Sequence, residues 1–130
     1  MPDYTLVNLK DVEDMAPQFG LSPGLESHFA RGPLGLQKQG VSYYRIAPGF
    51  RIPFGHSHSH QEEVYVLLSG SARIMLDDEL VDLDPFDAVR IPIATMRAFE
   101  GGPEGAEILA VGAPNTENHD VELAQGWWGN

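Results

Sequence analysis

The sequence predicts an all-β fold, a sandwich or barrel, preceded by an N-terminal arm. From Gly40 onward, short apolar segments alternate with turn-forming residues at short and regular intervals, which is typical of such folds. The turn signals lie so close together that no helix of ordinary length has room to form. A length of 130 residues suits one domain with one hydrophobic core.

Residues 1–39 are predicted to form an arm that packs on the barrel. The alternation over residues 4–9 fits a short strand, and residues 11–15 fit one helical turn capped by Asp11. Glycine and proline interrupt the rest of the arm, and we expect His28 there to be a surface or packing residue. The apolar residues available to dock the arm on a sheet are Phe19, Leu21, Leu25, Phe29, Leu34 and Leu36.

The predicted barrel spans residues 40–113, and residues 114–130 are assigned to a C-terminal tail. Turns are expected at residues 48–49, 77–78 and 85–87, and a loop at residues 101–105. In the tail, Trp127 and Trp128 are expected to pack on the barrel as a hydrophobic clasp. Strands are expected over residues 41–47, 51–54, 63–68, 71–76, 79–83, 88–91, 96–100 and 106–112.

A histidine-rich stretch before the apolar run that begins at Glu63 carries the chemistry that we can identify. Side chains alternate between faces along a strand, so His56 and His58 point the same way, and Glu63 and Tyr65 share a face further along. Two imidazoles and one carboxylate with open positions form a set favoured by non-haem iron and available to Mn, Ni, Co or Zn. The stretch therefore indicates a divalent transition metal site, with a solvated His/Ser-rich turn as the alternative.

Charge and composition exclude several classes of partner. Nineteen acidic residues against eight basic ones give a formal net charge of −11, which argues against binding to nucleic acid or to an anionic membrane. There is no cysteine, so disulfide and thiolate chemistry are excluded. No apolar run approaches the ~20 residues of a membrane span, and the N-terminus lacks the features of a signal peptide, so we expect a cytoplasmic protein.

The spacing His56-x-His58-x4-Glu63-x6-Gly70 resembles the first motif of the cupins, although six residues rather than five separate Gly49 from His56. The resemblance implies a small single-domain bacterial cupin, whose fold is a double-stranded β-helix, or jelly-roll barrel. It also implies that His56, His58 and Glu63 are metal ligands.

The second cupin motif is degenerate. The family pattern is Gly-x5-Pro-x-Gly-x2-His-x3-Asn, and only the proline and the spacing survive here, in Phe86-x5-Pro92-x-Ala94-x2-Arg97-x3-Gly101. Cupins usually place a fourth metal ligand where this chain has Arg97, and arginine is not a metal ligand because it stays protonated.

Arg97 leaves two interpretations open. In the first, the three remaining ligands hold a metal, and Arg97 anchors a carboxylate or phosphate of a small anionic molecule beside it. In the second, the guanidinium takes the place of the metal and pairs with Glu63, which gives a metal-free pocket. The first predicts a metal-dependent enzyme, with dioxygenation, isomerisation or decarboxylation all compatible, and the second a non-catalytic binding or sensing protein.

Other side chains lie close to this site in the sequence. Tyr65 is the best candidate for a phenol near the metal, although it also fits a plain lumen-filling aromatic. His60 is expected at the barrel mouth, Glu62 in solvent, and His119 exposed in the tail. The strand that begins at Glu63 is apolar on both faces, so we also predict a homodimer that covers the outer face formed by Val64, Val66 and Leu68.

Overall fold

Antiparallel strands build a curled sheet in the computed structural model, which describes residues 2–58, 61–113, 121–125 and 127–128. This confirms the predicted all-β jelly-roll architecture. In the described part of the chain, 3-10 turns at Leu9–Asp11 and Ala16–Phe19 and one short helix, α1 (Arg31–Leu34), lie beside the strands. The strands are β1 (Leu25–Phe29), β2 (Gly40–Ile46), β3 (Phe54–His58), β4 (Glu63–Leu76), β5 (Glu79–Leu83), β6 (Ala88–Ile91), β7 (Arg97–Gly112) and β8 (Val121–Gln125).

The two longest strands, β4 and β7, connect the sheet. β7 pairs with β2, β3 and β4, while β4 also pairs with β5 and β6. The edges are extended by β1, which pairs with β2, and by β8, which pairs with β3. The interior of the curled sheet holds the core, whose fully buried aliphatic side chains are Ile46, Leu67, Ile74, Ile91 and Ile108.

The predicted breaks within β4 and β7 are wrong. We expected separate strands on either side of Ser69 and Gly70 and a loop at residues 101–105, but the ladder between β4 and β7 runs past both points with two register shifts. Gly70 and Gly105 adopt φ values of +79° and +77°, which glycine reaches at low cost. Bulges of this kind bend a strand without ending it, so turn-forming residues here mark curvature.

The N-terminal arm differs in detail from the prediction. Residues 4–9 do not form a strand, and the first 3-10 turn is capped by Asn8, whose side chain accepts a hydrogen bond from the Lys10 backbone at 2.9 Å, rather than by Asp11. The arm instead contributes β1. His28 in β1 is buried and stacks on Tyr43 with ring centroids 5.5 Å apart, which confirms it as a packing residue.

The outer face of β4 bears on the predicted homodimer. Val64, Val66 and Leu68 are each half-buried, so part of their apolar surface remains open to a partner. The homodimer stays a prediction, for which the molecular mass by light scattering is the measurement. No helix in the described ranges is long and apolar enough to cross a membrane.

Candidate metal centre and cavity

Three neighbouring strands bring the candidate site residues together. His56 and His58 lie on β3, Glu63 and Tyr65 on β4, and Arg97 begins β7. His56 is the register partner of Arg97 across the β3–β7 ladder, so position 97 lies where the second-motif spacing predicts. The potential ligand atoms of His56, His58 and Glu63 all lie within 4.8 Å of one another.

Arg97 is fully buried and bonded to the protein on each side of its guanidinium. Its Nη2 donates to Glu63 Oε1, its Nε donates to the Tyr65 hydroxyl at 3.2 Å, and its Nη1 donates to the Thr95 carbonyl at 3.0 Å. Burial opposes the charged form of Arg97, but contacts with Tyr65 and Glu63 outweigh it and raise the pKa. The pairing with Glu63 is the one that the second interpretation of Arg97 describes.

Tyr65 completes this buried group. Its hydroxyl donates to Glu63 Oε1 at 2.9 Å and accepts from Arg97. Burial, reinforced by the Glu63 carboxylate, raises the pKa of Tyr65 well above its usual value, so the phenol stays protonated. Glu63 Oε1 therefore accepts hydrogen bonds from both a cation and a phenol.

His56 presents a neutral imidazole next to the ring of His58. Burial, followed by the charges of Arg97 and His58, lowers the pKa of His56 to about 3. The two rings are nearly perpendicular, with centroids 5.3 Å apart, and His58 Nε2 lies 3.5 Å from Glu63 Oε1. A neutral imidazole is the form that binds a metal, because its free nitrogen carries the lone pair.

These residues fit a divalent metal. Zinc-type sites place nitrogen and oxygen ligands at about 2.0–2.2 Å from the ion, so at tetrahedral or facial angles the ligand atoms lie about 3.0–3.5 Å apart. The atoms of His56, His58 and Glu63 lie within 4.8 Å of one another, so binding a metal requires side-chain rotations that draw them closer together. A metal held by His56, His58 and Glu63 would have to share the Glu63 carboxylate with Arg97.

A cavity of about 560 Å³ adjoins this group. His56, His58, Gln61, Glu63 and Tyr65 line it, whereas Arg97 does not. Most of the remaining lining is apolar. The apolar and aromatic lining residues are Phe19, Leu21, Leu25, Phe29, Val41, Tyr44, Ile46, Ile52, Phe54, Phe99 and Leu123.

Several lining residues were not predicted as site residues. The arm residues among them were recognised only as apolar docking residues, and the segment that contains Leu123 was assigned to the tail. Gln61, whose Nε2 donates to the Ala113 carbonyl at 2.6 Å, gave no signal beyond its place beside the glutamates. Glu62 is exposed as expected, while His60 and His119 lie outside the described residues.

The tryptophans near the C-terminus pack against the strand and loop ahead of the histidines. Trp128 Nε1 donates to the Ile52 carbonyl at 2.7 Å, and the Arg51 guanidinium lies 4.5 Å from the Trp128 ring centroid. A Cβ atom placed on Gly55 would lie 2.8 Å from the Trp127 ring. The packing has the form of the predicted clasp and allows only a small residue at position 55.

Comparison with known proteins identifies the family. The Cupin_2 family model, described as a cupin domain, matches residues 42–112. The chain belongs to the cupins. No curated protein matches it.

Solved structures agree with this cupin fold at low sequence identity. A cupin protein from Bacteroides fragilis is 23% identical, with a TM-score of 0.71 over 90% of this chain and 89% of that one. KdgF from Halomonas sp. is 16% identical, with a TM-score of 0.69 over 90% and 98%. A variant of Streptomyces Pac13 with uridine is 18% identical, with a TM-score of 0.72 over 97% and 93%. Pac13 is described as a nucleoside dehydratase.

Proposed function

We propose that this cupin binds a divalent transition metal, Fe, Mn, Ni, Co or Zn, through His56, His58 and Glu63 and acts on a small molecule held in the adjoining cavity. The observation that carries the proposal is the convergence of two imidazoles and a carboxylate, within 4.8 Å of one another, on the wall of a 560 Å³ cavity. Structural neighbours that act on or bind small molecules, such as Pac13 with uridine, are consistent with a ligand site in the barrel.

The charges around the site favour an anionic group on that small molecule. Imidazoles that bind a metal are neutral, and the charges of the Glu63 carboxylate and the Arg97 guanidinium cancel, so a divalent metal would leave two uncompensated positive charges in a largely buried place. Buried charge is costly unless it is paired. A carboxylate, phenolate or enolate on the ligand would supply the pairing, without direct contact with Arg97, which does not line the cavity.

The chain's own residues have distinct proposed roles. Tyr65 lines the cavity with a protonated hydroxyl, so it is the candidate catalytic residue that holds a proton near the ligand. Arg97 is a positioning residue, because it acts on the ligand only through Glu63 and Tyr65. A bound metal would polarise a carbonyl or carboxylate group of the ligand, with redox chemistry added if it is iron or manganese. Dioxygenation, isomerisation and decarboxylation are all compatible with this set.

Elemental analysis tests the metal assignment. The protein is supplied with each metal in turn, desalted and analysed beside a His56→Ala/His58→Ala variant. We expect close to one metal per chain in the unaltered protein and almost none in the variant. A His60→Ala/His119→Ala variant is the matched control, since it removes two histidines outside the proposed ligand set. No bound metal in the unaltered protein, or equal loss in both variants, would refute the proposal.

The pairing of Arg97 with Glu63 supports a second candidate function, a metal-free cupin that binds or senses a small molecule. In that arrangement the carboxylate already has a cationic partner and the buried guanidinium needs no other. A ligand that binds equally well with and without a chelator would favour this candidate. A ligand that needs the metal would favour the first.

A further inference from the structure

Part of the cavity wall is built by segments on either side of the matched cupin core. Phe19, Leu21, Leu25 and Phe29 come from the arm, and Leu123 comes from β8, whereas the family match covers residues 42–112. These segments are held in place by specific contacts. β1 pairs with β2, and Leu123 is the register partner of His56 in the β3–β8 ladder.

The exposed lining residues of the cavity are all apolar. His58 and Glu63 are 8% and 9% exposed, while Phe19, Phe29 and Leu123 are 57%, 40% and 55% exposed. The polar group therefore lies deep and the accessible wall is apolar. Large apolar side chains left in water around a cavity are a common mark of a binding site, because a ligand that covers them is stabilised by the hydrophobic effect.

The charge of the lining argues against phosphorylated or polyanionic ligands. Arg31 is the only lysine or arginine among the described lining residues, and one of its five N–H groups, at Nε, donates to the Leu36 carbonyl at 3.3 Å. The chain as a whole carries a net charge of −11, so its field repels polyanions. A single anionic group is the most that the deep end accommodates.

We propose that the natural ligand is an amphiphile, with one carboxylate, phenolate or enolate head at His56, His58 and Glu63 and an apolar alkyl or aryl body against the arm and Leu123. The position of the head rests on the proposed function, whereas the apolar wall does not depend on a metal. A cavity of about 560 Å³ has room for roughly 15–20 non-hydrogen atoms, at the ~30 Å³ that a water molecule occupies in the liquid.

A series of straight-chain carboxylates from four to ten carbons tests the inference. Each dissociation constant is measured by calorimetry, with zinc-loaded protein and with chelator-treated protein. Burying one methylene group is worth a factor of about four in affinity. We expect about fourfold tighter binding per added carbon across the whole series, because its ten-carbon member does not fill the cavity. The head group and its repulsion by the acidic protein are constant along the series, so the slope reports only the apolar wall.

Matched leucine variants locate the wall. Leu123→Ala should weaken binding of both the four-carbon and the ten-carbon members, because Leu123 lies opposite His56 in the β3–β8 ladder and contacts the first carbons of the body. Leu80→Ala is the control, because Leu80 is also an exposed leucine on a strand, 53% against 55% exposed, but does not line the cavity. It should alter neither constant.

The two proposals fail in different ways. If affinity still rises with chain length in chelator-treated protein, the amphiphile inference is supported even when elemental analysis finds no metal. In that case only the proposed metal function is refuted. Affinity that does not depend on chain length, in both zinc-loaded and chelator-treated protein, overturns the inference even if the metal is present. Equal effects of Leu123→Ala and Leu80→Ala also overturn it.

Discussion

Replacing Arg97 by histidine should raise the affinity of the site for a divalent metal. Position 97 is the register partner of His56, and its side chain reaches Glu63 and Tyr65, so an imidazole there would join the group of candidate ligands. The substitution adds a ligand and removes a cation. Both changes favour the metal-bound state.

The size of the effect follows from the shared carboxylate. A metal about 2.1 Å from a Glu63 oxygen, with an Arg97 nitrogen about 2.9 Å from that oxygen, places the two positive charges at most about 5 Å apart. At an effective dielectric constant of about 20, their repulsion is about 7 kcal/mol before Glu63 screens it. Outer-sphere changes alone alter metal affinity about 10–100-fold, so we expect an increase of at least that size.

Competition with a chelator measures this affinity in the unaltered protein, in Arg97→His and in Arg97→Met. Arg97→Met removes the charge without adding a ligand, so it should raise the affinity by less than Arg97→His does. Both variants leave Glu63 buried without its cation, which costs about 3–5 kcal/mol of unfolding free energy, so thermal unfolding is followed with and without metal. Metal should restore more stability to Arg97→His. Unchanged affinity in both variants would refute the reasoning.

Two further predictions concern the fold. His28 Nδ1 lies 2.6 Å from the Val12 carbonyl, and its Nε2 lies 3.0 Å from Glu26 Oε1. Burial alone would lower the pKa of His28, but these two acceptors raise it above 6.5. The protonated His28 ring therefore stabilises the folded state fully below the unfolded-state pKa of about 6.5, and this stabilisation is lost as pH rises through the folded-state pKa. Urea denaturation should give a lower free energy of unfolding at pH 9 than at pH 6. The His28→Gln variant should lack this difference. Gly70→Ala should cost about 3 kcal/mol or more in urea denaturation, because the φ of +79° is strained for alanine and the new Cβ would lie 2.0 Å from the Gly105 carbonyl oxygen. Gly32→Ala meets no atom within 4 Å, and a comparable loss in that control would contradict the reasoning.

Residue alternation predicts the central strands because their side chains are sorted between two environments. β5 and β6 match their predicted bounds of residues 79–83 and 88–91, and β2 is displaced by a single residue. The same signal misreads β4 and β7 as four shorter strands. A glycine can either bend a paired strand or end it, and the sequence alone does not show which. The pairing with the neighbouring strand decides between the two.

β1 and β8 could not be predicted, because their strand structure depends on their neighbours. Residues 25–29 and 121–125 are only five residues each and mix charged with apolar side chains, so neither presents a clear alternation. β1 pairs with β2, which the sequence does indicate, and β8 pairs with β3, which shares only residue 54 with the strand predicted over residues 51–54. Pairing at a sheet edge supplies hydrogen bonds that the isolated segment lacks, and that long-range contribution has no local signature.

The spacing of the motifs predicts which way Arg97 points, but not what it binds. Register and alternation determine the face of a strand, and this part of the expectation agrees with the β3–β7 ladder. The partner depends on charge. Glu63 is 9% exposed, and a buried carboxylate is costly unless a positive charge pairs with it, which the neutral His56 does not provide. Either a metal or Arg97 can supply that charge. Any metal that enters must compete with a guanidinium that is already bonded to Glu63. An anionic small molecule that compensates the added charge should therefore tighten metal binding, and the metal should tighten binding of that small molecule by the same factor.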